Sequence, residues 1–430
     1  MTRTALEVAQ VQRRTVWVLS LGQVLGGIAF GATLSLGAVL AAEIAGDEAY
    51  SGLAAAAVTF GTAAVAVPLA ALARRFGRRI ALTTGMATAL VGVVLVVFAI
   101  GARSFPLLLG AFLLIGGGQA ANLQTRFAAA DLADDATRGR DLSIVVWATT
   151  IGAVLGPNLT GPGEIVGDAV GMPPLSGPYL FTIVGQLLAI ALYLVALRPD
   201  PLLLAQRIVA QRTVEGGSTP PIAKSDRPVV ARYAIFAIAA AHGVMVSVMA
   251  MTPVHLLHHG ADLAIIGLTL SLHIAGMYAL APVFGILADR LGRVPTILVG
   301  QVLLAAALLT ASFGQDSQGA VTGGLVLLGL GWSATTVAGS ALLTEASSES
   351  RRTRRQGLSD FTMSMVAAIG AIIAGFVLGA IGYGGLALVV GVAVIAVSAL
   401  SPLGLRRQDA QIEVSRSSSS AGPSTFVEDE

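Results

Sequence analysis

Residues 73–79 read ARRFGRR, and residues 288–294 read ADRLGRV. The two stretches lie 215 residues apart. Each separates two long apolar runs: 51–72 from 80–101 in the first case, 262–287 from 294–313 in the second. A membrane-spanning helix needs about 20 mostly apolar residues. Further runs of that kind fall at 16–42, 106–130, 142–163 and 177–197, and then at 230–257, 320–343, 358–380 and 384–404. The pattern is six plus six, with the arginine stretch between the second and third run of each set. A second echo pairs TRGRDLS at 137–143 with RRQGLSD at 354–360, and Ile151-Gly152 with Ile369-Gly370 at an offset of 218. Duplicated six-helix halves predict an all-α membrane protein, with twelve transmembrane helices in two pseudo-symmetric bundles around a central site.

Composition agrees. The chain has 430 residues, 55% hydrophobic and only 12% charged, with a mean hydropathy of +0.81. A soluble domain carries about a quarter charged residues, so a soluble enzyme is excluded, as is a disordered chain. The runs are too long and continuous for the alternating strands of a membrane barrel. There is no cysteine, which removes disulfides, thiolate metal sites and cysteine nucleophiles. The net charge of +2 gives no reason to expect a nucleic acid partner. The first run is too long for a cleavable signal. No phosphate-binding G-x-x-x-x-G-K-[ST] loop and no H-E-x-x-H motif occur, so neither nucleotide-driven transport, nor covalent catalysis, nor a cofactor is expected.

The basic residues, 25 Arg and Lys224 alone, set the expected orientation. With the N-terminus in the cytoplasm, the inner side receives Arg13, Arg14, the 74–79 cluster, Arg138, Arg140, Arg290, Arg293, Arg351 to Arg355, Arg406 and Arg407. The outer loops hold Arg103 and the acids Glu43, Asp47, Glu48, Glu164, Asp168, Asp262 and Asp316. This asymmetry predicts a multi-pass protein with both termini cytoplasmic. The high Arg, Ala and Gly content points to a bacterial source and its plasma membrane. The expected organisation is a bundle over 1–197, a cytoplasmic linker over 198–228 with a short interfacial helix near 201–212, a second bundle over 229–404 and a disordered tail over 405–430.

GILADRLGR, Gly285 to Arg293, is similar to the loop signature G-x-x-x-D-R-x-G-R of the major facilitator superfamily. The resemblance implies a gating loop made of Gly285, Asp289, Arg290, Gly292 and Arg293, which latches the inner gate when the transporter opens outward. Gly285 allows close helix packing, and Gly292 makes the tight turn. Asp289 is placed where a helix N-terminus or a neighbouring Arg can hold its charge. The first-half loop departs from the pattern, with Ala70 for the glycine and Arg74 for the aspartate. Gly152-x-x-x-Gly156-Pro157, followed by Gly161, resembles the Gly-Pro signature of the drug:proton antiporter branch. GGGQAA at 116–121 partly resembles that branch's fourth-helix signature, but Phe112 stands where the signature has Arg.

Ionisable groups inside a bilayer are functional candidates by default. No Asp or Glu falls near the middle of any run, whereas all five histidines lie between 242 and 273. His242 and His273 both fall near the midplane of a ~30 Å core. Each could carry a proton, or stand as a neutral hydrogen-bonded imidazole. His255, His258 and His259 gather at the outer rim with Asp262, where a solvated loop outweighs a metal site. Gln119, Asn122 and Arg126 share one face of the fourth helix, so Arg126 either attracts an anionic group from the cavity wall or snorkels to the headgroups near Asp131. Gln23 and Asn158 are further candidates. Met245, Met249, Met251, Trp332, Ser333, Thr335 and Thr336 suit either an adaptable apolar pocket or ordinary packing.

Together these features predict a monomeric secondary transporter working by alternating access. Its expected partners are protons, the lipid bilayer and a small, largely apolar substrate, which it exports. The alternatives are an importer or facilitator of a small nutrient, a metal exporter and a non-transporting sensor.

Overall fold

The computed structural model describes residues 3–46, 50, 52–215, 226–261 and 263–405. The expectations placed on Asp47, Glu48, Lys224, Asp262, Arg406, Arg407 and the tail lie outside the described residues. Those that remain form helices: α1 Arg3–Ala45, α2 Gly52–Phe76, α3 Arg78–Gly101, α4 Phe105–Ala128, α5 Arg138–Asn158, α6 Thr160–Ala169, α7 Pro178–Ala196, α8 Pro201–Glu215, α9 Pro228–His258, α10 Leu263–Tyr278, α11 Ala281–Leu291, α12 Arg293–Phe313, α13 Gln318–Glu345, α14 Glu349–Ala399 and α15 Ser401–Leu405. Pro106, Pro178, Pro228 and Pro282 stand at first-turn positions, where a missing N–H costs nothing.

Nine segments among the described residues are long and apolar enough to cross a membrane. One of them, Glu349–Leu405, is two rods. Gly382 interrupts α14 with φ of 73°, a left-handed conformation open to glycine. The second rod returns along α9: Tyr383 bonds Thr252 near one end, and Tyr233 donates to the Val397 carbonyl near the other. With α1 and α5, the sequence's twelve runs are all helical. α13 is the most buried helix of its half, with 83% of its apolar stretch buried against 22% for the α14 segment.

The arginine stretches do what their repetition implies. Gly77 (φ 90°) and Gly292 (φ 101°) break the chain between consecutive helices. Each delivers the next residue, Arg78 or Arg293, as a buried cation. Arg78 Nε lies 2.8 Å from Asp131 at the end of α4; Arg293 lies 2.7 Å from Glu345 at the end of α13. The two halves thus solve one problem twice, a buried guanidinium held by a carboxylate one helix away. The loops differ where the sequence differs. Asp289 accepts from the Gly139 and Arg140 N–H groups at 2.9 and 2.8 Å, capping α5, and it also pairs with Arg293. Both partners left open by the sequence, helix N-terminus and arginine, are present. At the pseudo-equivalent place Ala70 packs against Gly357, a contact of side chain on backbone.

The Asp289 cap on α5 and the Ala70–Gly357 contact join one half to the other at the arginine-rich end, and further contacts join them there. Gly285 and Gly139 touch backbone to backbone, so a side chain on Gly139 would collide with the Gly285 carbonyl. Arg78 Nη2 donates to Gln356 at 2.6 Å, Arg138 pairs with Glu345, and Arg293 donates to the Asp135 carbonyl at 2.8 Å. An apolar plug of Ala130, Leu142 and Val146 from one half and Ala281 and Val337 from the other completes the closure.

The connection between halves is anchored at both visible ends. A short helix is present where one was expected near 201–212, α8, with Asp200 as its cap: Oδ1 accepts from Leu202 and Leu203, and Oδ2 accepts from the Arg79 N–H at 2.7 Å. At the other end Asp226 receives the Ser348 N–H and pairs with Arg351 and Arg355. Burial pushes the Asp226 carboxyl up, but that N–H and the two guanidinium groups outweigh it and hold it below its ordinary 3.8.

Two outcomes follow. Arg78→Ala leaves Asp131 charged and buried without its partner, so the thermal unfolding midpoint in detergent should fall by the equivalent of about 3–5 kcal/mol; an unchanged midpoint would refute the buried pairing. A depressed carboxyl contributes stability above the ordinary carboxylate pKa and loses it as pH falls through the folded value. Wild type should therefore exceed Asp226→Asn in unfolding midpoint at neutral pH, with the gap closing below pH 3.8.

Candidate functional site

Directly above the closed end, α4 and α14 carry opposite charges toward each other. Arg126 Nη2 meets Asp360 Oδ1 at 2.5 Å, and both side chains are almost fully buried. Asp360 is the carboxylate that reading the sequence missed. The apolar run begins near 358, which puts Asp360 at its edge. The helix begins at Glu349, so Asp360 stands about 16 Å along it at 1.5 Å per residue. The available signal was Arg126 itself, since a cation within an apolar run requires a counter-charge at matching depth on a facing helix. Arg126 therefore neither snorkels to headgroups nor pairs with Asp131, which Arg78 occupies. Arg126 Nε and Asp360 Oδ2 have no hydrogen-bond partner, so the pair holds unused donor and acceptor capacity.

Three aromatic side chains lie within electrostatic range of Arg126 or next to those that do. Trp332 Nε1 donates to His242 Nδ1 at 2.8 Å. Tyr278 packs edge-on to Trp332, with centroids 5.7 Å apart. The Arg126 charge acts on both His242 and Tyr278. Because indole only donates, His242 Nδ1 must be unprotonated in this arrangement. His242 is about 21 Å along α9 from Pro228, close to the middle of that helix. Met245 is buried in the core cluster that includes Trp332, with Met249 and Met251 packed against it. Ser333, Thr335 and Thr336 are buried in α13, and Thr335 accepts from Gln301 at 3.0 Å, a contact between helices.

His273 lies elsewhere, between α10 and α13. Its Nδ1 faces the Leu325 carbonyl at 2.7 Å, and its buried Nε2 has no partner. A carbonyl only accepts, so Nδ1 carries the proton. On the fourth helix, Asn122 and Arg126 are buried and Gln119 is half-buried. Gln23 Nε2 donates to the Asn122 carbonyl at 3.3 Å and to Thr149 at 3.2 Å, which knits α1, α4 and α5 together. Gly152 packs on α1 at Gly27. The helix breaks between Asn158 and Thr160, just after the Gly-Pro pair, and Gly161 faces open space. The side chains of Gly156, Pro157 and Asn158 lie outside the described residues. Arg290 is exposed, unlike its neighbours Asp289 and Arg293.

At the far end His255 bonds the Gln315 carbonyl at 2.8 Å and stacks on Tyr383, while His259 bonds the His255 carbonyl. Among the described residues, no three His, Asp or Glu side chains gather closely enough to hold a metal ion.

The sequence model of the Major Facilitator Superfamily matches residues 19–263 and again 233–427. The chain is 36% identical to the MFS-type transporter YddS of Bacillus subtilis over 374 residues, covering 86% of this chain and 85% of that one. It is 28% identical to the riboflavin transporter RfnT of Brucella anthropi, covering 87% and 92%. Its fold is similar to the crystal structure of the human organic anion transporter MFSD10, with a TM-score of 0.72, 17% identity and coverage of 91% and 99%.

The plug beneath Arg126–Asp360 supplies a readout. A single cysteine placed at Ala130, buried in that plug, should react slowly with a maleimide, in a chain that has no cysteine of its own. Adding Asp360→Ala should raise the rate at least about tenfold, since losing even ~1.4 kcal/mol from the closed state shifts the equilibrium that far. An unchanged rate would mean that the ion pair does not hold this end shut.

Proposed function

Because the chain belongs to the major facilitator superfamily, whose members are secondary transporters and not enzymes, we propose that it exports a small, largely apolar compound in exchange for protons. The units that rock are residues 1–197 and 229–404, joined by 198–228, and the protein works as a monomer in a bacterial plasma membrane. The arginine-rich end faces the cytoplasm, in keeping with the excess of basic residues there.

One observation carries the coupling: the buried Arg126–Asp360 pair spans the two halves. It cannot survive their separation, and an unpaired buried carboxylate is costly. A proton arriving from the outer side neutralises Asp360, releases Arg126 and lets the inner mouth open. The proton leaves to the cytoplasm as substrate binds, and the re-formed pair closes the mouth again. Protons thus move inward while substrate moves outward. His242, bonded to Trp332 and within range of Arg126, relays the proton, and Trp332 and Tyr278 offer ring faces to an apolar, planar substrate. His273, with its unpartnered Nε2, is the alternative carrier. The Asp289 cap on α5 is the latch that holds the mouth shut between turnovers.

A second reading, import of an aromatic nutrient, has support in the freed Arg126 as an anion site and in the similarity to a riboflavin transporter. Inverted vesicles separate the two. With an acidic lumen, wild type should accumulate a lipophilic aromatic probe, and collapsing the gradient should abolish this. Asp360→Asn should lose accumulation but keep gradient-independent exchange, and His273→Ala should match wild type. Full accumulation by Asp360→Asn would remove Asp360 from coupling, and downhill equilibration unaffected by the gradient would favour a facilitator.

A further inference from the structure

On the same arginine-rich end, away from the seam between the halves, a cavity of ≈ 300 Å³ opens where α3 begins, α7 ends and α8 starts. Arg79, Arg198 and Arg207 line it, with Asp200 and the side chains of Leu203 and Leu204. The Asp200 carboxylate is already spent on the α8 cap and the Arg79 N–H. Arg198 Nε donates to the Leu194 carbonyl at 3.0 Å. Among the described residues, no carboxylate pairs with any of the three guanidinium groups. Elsewhere at this end buried arginines have acidic partners. Here three arginines from three elements border one largely apolar cavity, and the charge they carry is offset by one carboxylate at most.

Position and lining define the missing anion. Arg198 follows the apolar helix α7 by two residues, so the rim sits at headgroup depth. The guanidinium fork suits phosphate oxygens, and basic pockets at helix ends bind anionic headgroups. The leucine and proline surface has no use in a site for a soluble anion, but it fits glycerol and the first acyl carbons. We propose that this cavity binds the phosphate headgroup of an anionic phospholipid, with its acyl chains running along α7. A bound lipid would pin the linker helix α8 to α3 and α7, independently of what the central site transports.

The test is lipid retention by the purified full chain, read by native mass spectrometry with phosphatidylglycerol, phosphatidylcholine of the same chains, and inorganic phosphate. Wild type should retain phosphatidylglycerol selectively. Arg198→Gln with Arg207→Gln, both exposed positions, should weaken that retention about 30-fold, the effect of two interfacial charges. Arg198→Lys with Arg207→Lys should keep most of it. The control Arg75→Gln with Arg354→Gln removes equal charge from exposed positions at the same end and should leave retention unchanged. Equal loss in the control would mean diffuse charge and no pocket. Equal retention of phosphatidylcholine, or displacement by inorganic phosphate at matching concentration, would also overturn the proposal, the latter in favour of a soluble anion.

Discussion

Arg126 and Asp360 meet across the seam with almost no exposure to solvent, and the shape of the closed mouth follows from the need to keep such charges together. Apolar walls alone would hold the halves weakly, since lipid tails are as apolar as the helix faces they would replace. Charges withdrawn from water differ, because separating them carries a cost that packing cannot offset. The same logic recurs at Arg78–Asp131 and at Arg293 with Asp289 and Glu345. In each case the guanidinium of one helix end is placed by a glycine turn or a helix terminus, and its carboxylate comes from a neighbour.

The pairs divide the work. Arg78–Asp131 and Arg293–Glu345 lie within a half and set the helix ends that the seam is built from. Asp289 on α5, Arg138 with Glu345, and Arg126 with Asp360 cross the seam. Beside them sits the small apolar plug of Ala130, Leu142, Val146, Ala281 and Val337, contributed by both halves. The aromatic group of His242, Trp332 and Tyr278 lies just beyond.

Much of this was legible in the sequence. The repeated arginine stretch and the six-plus-six runs contain the architecture, because span length and loop charge are one-dimensional properties. Gly292, Asp289 and the short helix near 201–212 read correctly for the same reason: turns and helix starts are local. Asp360 did not read. Its depth depends on where α14 starts, and the polar first turns of that helix, Glu349 to Arg355, resemble a loop by composition. The partner of Arg126 lies 234 residues away, beyond any local spacing argument. His242 was legible as a polar group within an apolar run, but its bond to Trp332 depends on how α9 and α13 face each other, which periodicity does not fix.

The turn at Gly382 carries a mechanical implication. One residue joins two rods, and Tyr383 immediately after it is clamped to Thr252 and stacked on His255. A joint that short has no slack, so neither rod can slide or tilt without dragging the other. The second rod is thus fastened to α9 at both of its ends, by Tyr383 on Thr252 beside the joint and by Tyr233 on the Val397 carbonyl far from it, so the hairpin and α9 form one braced unit.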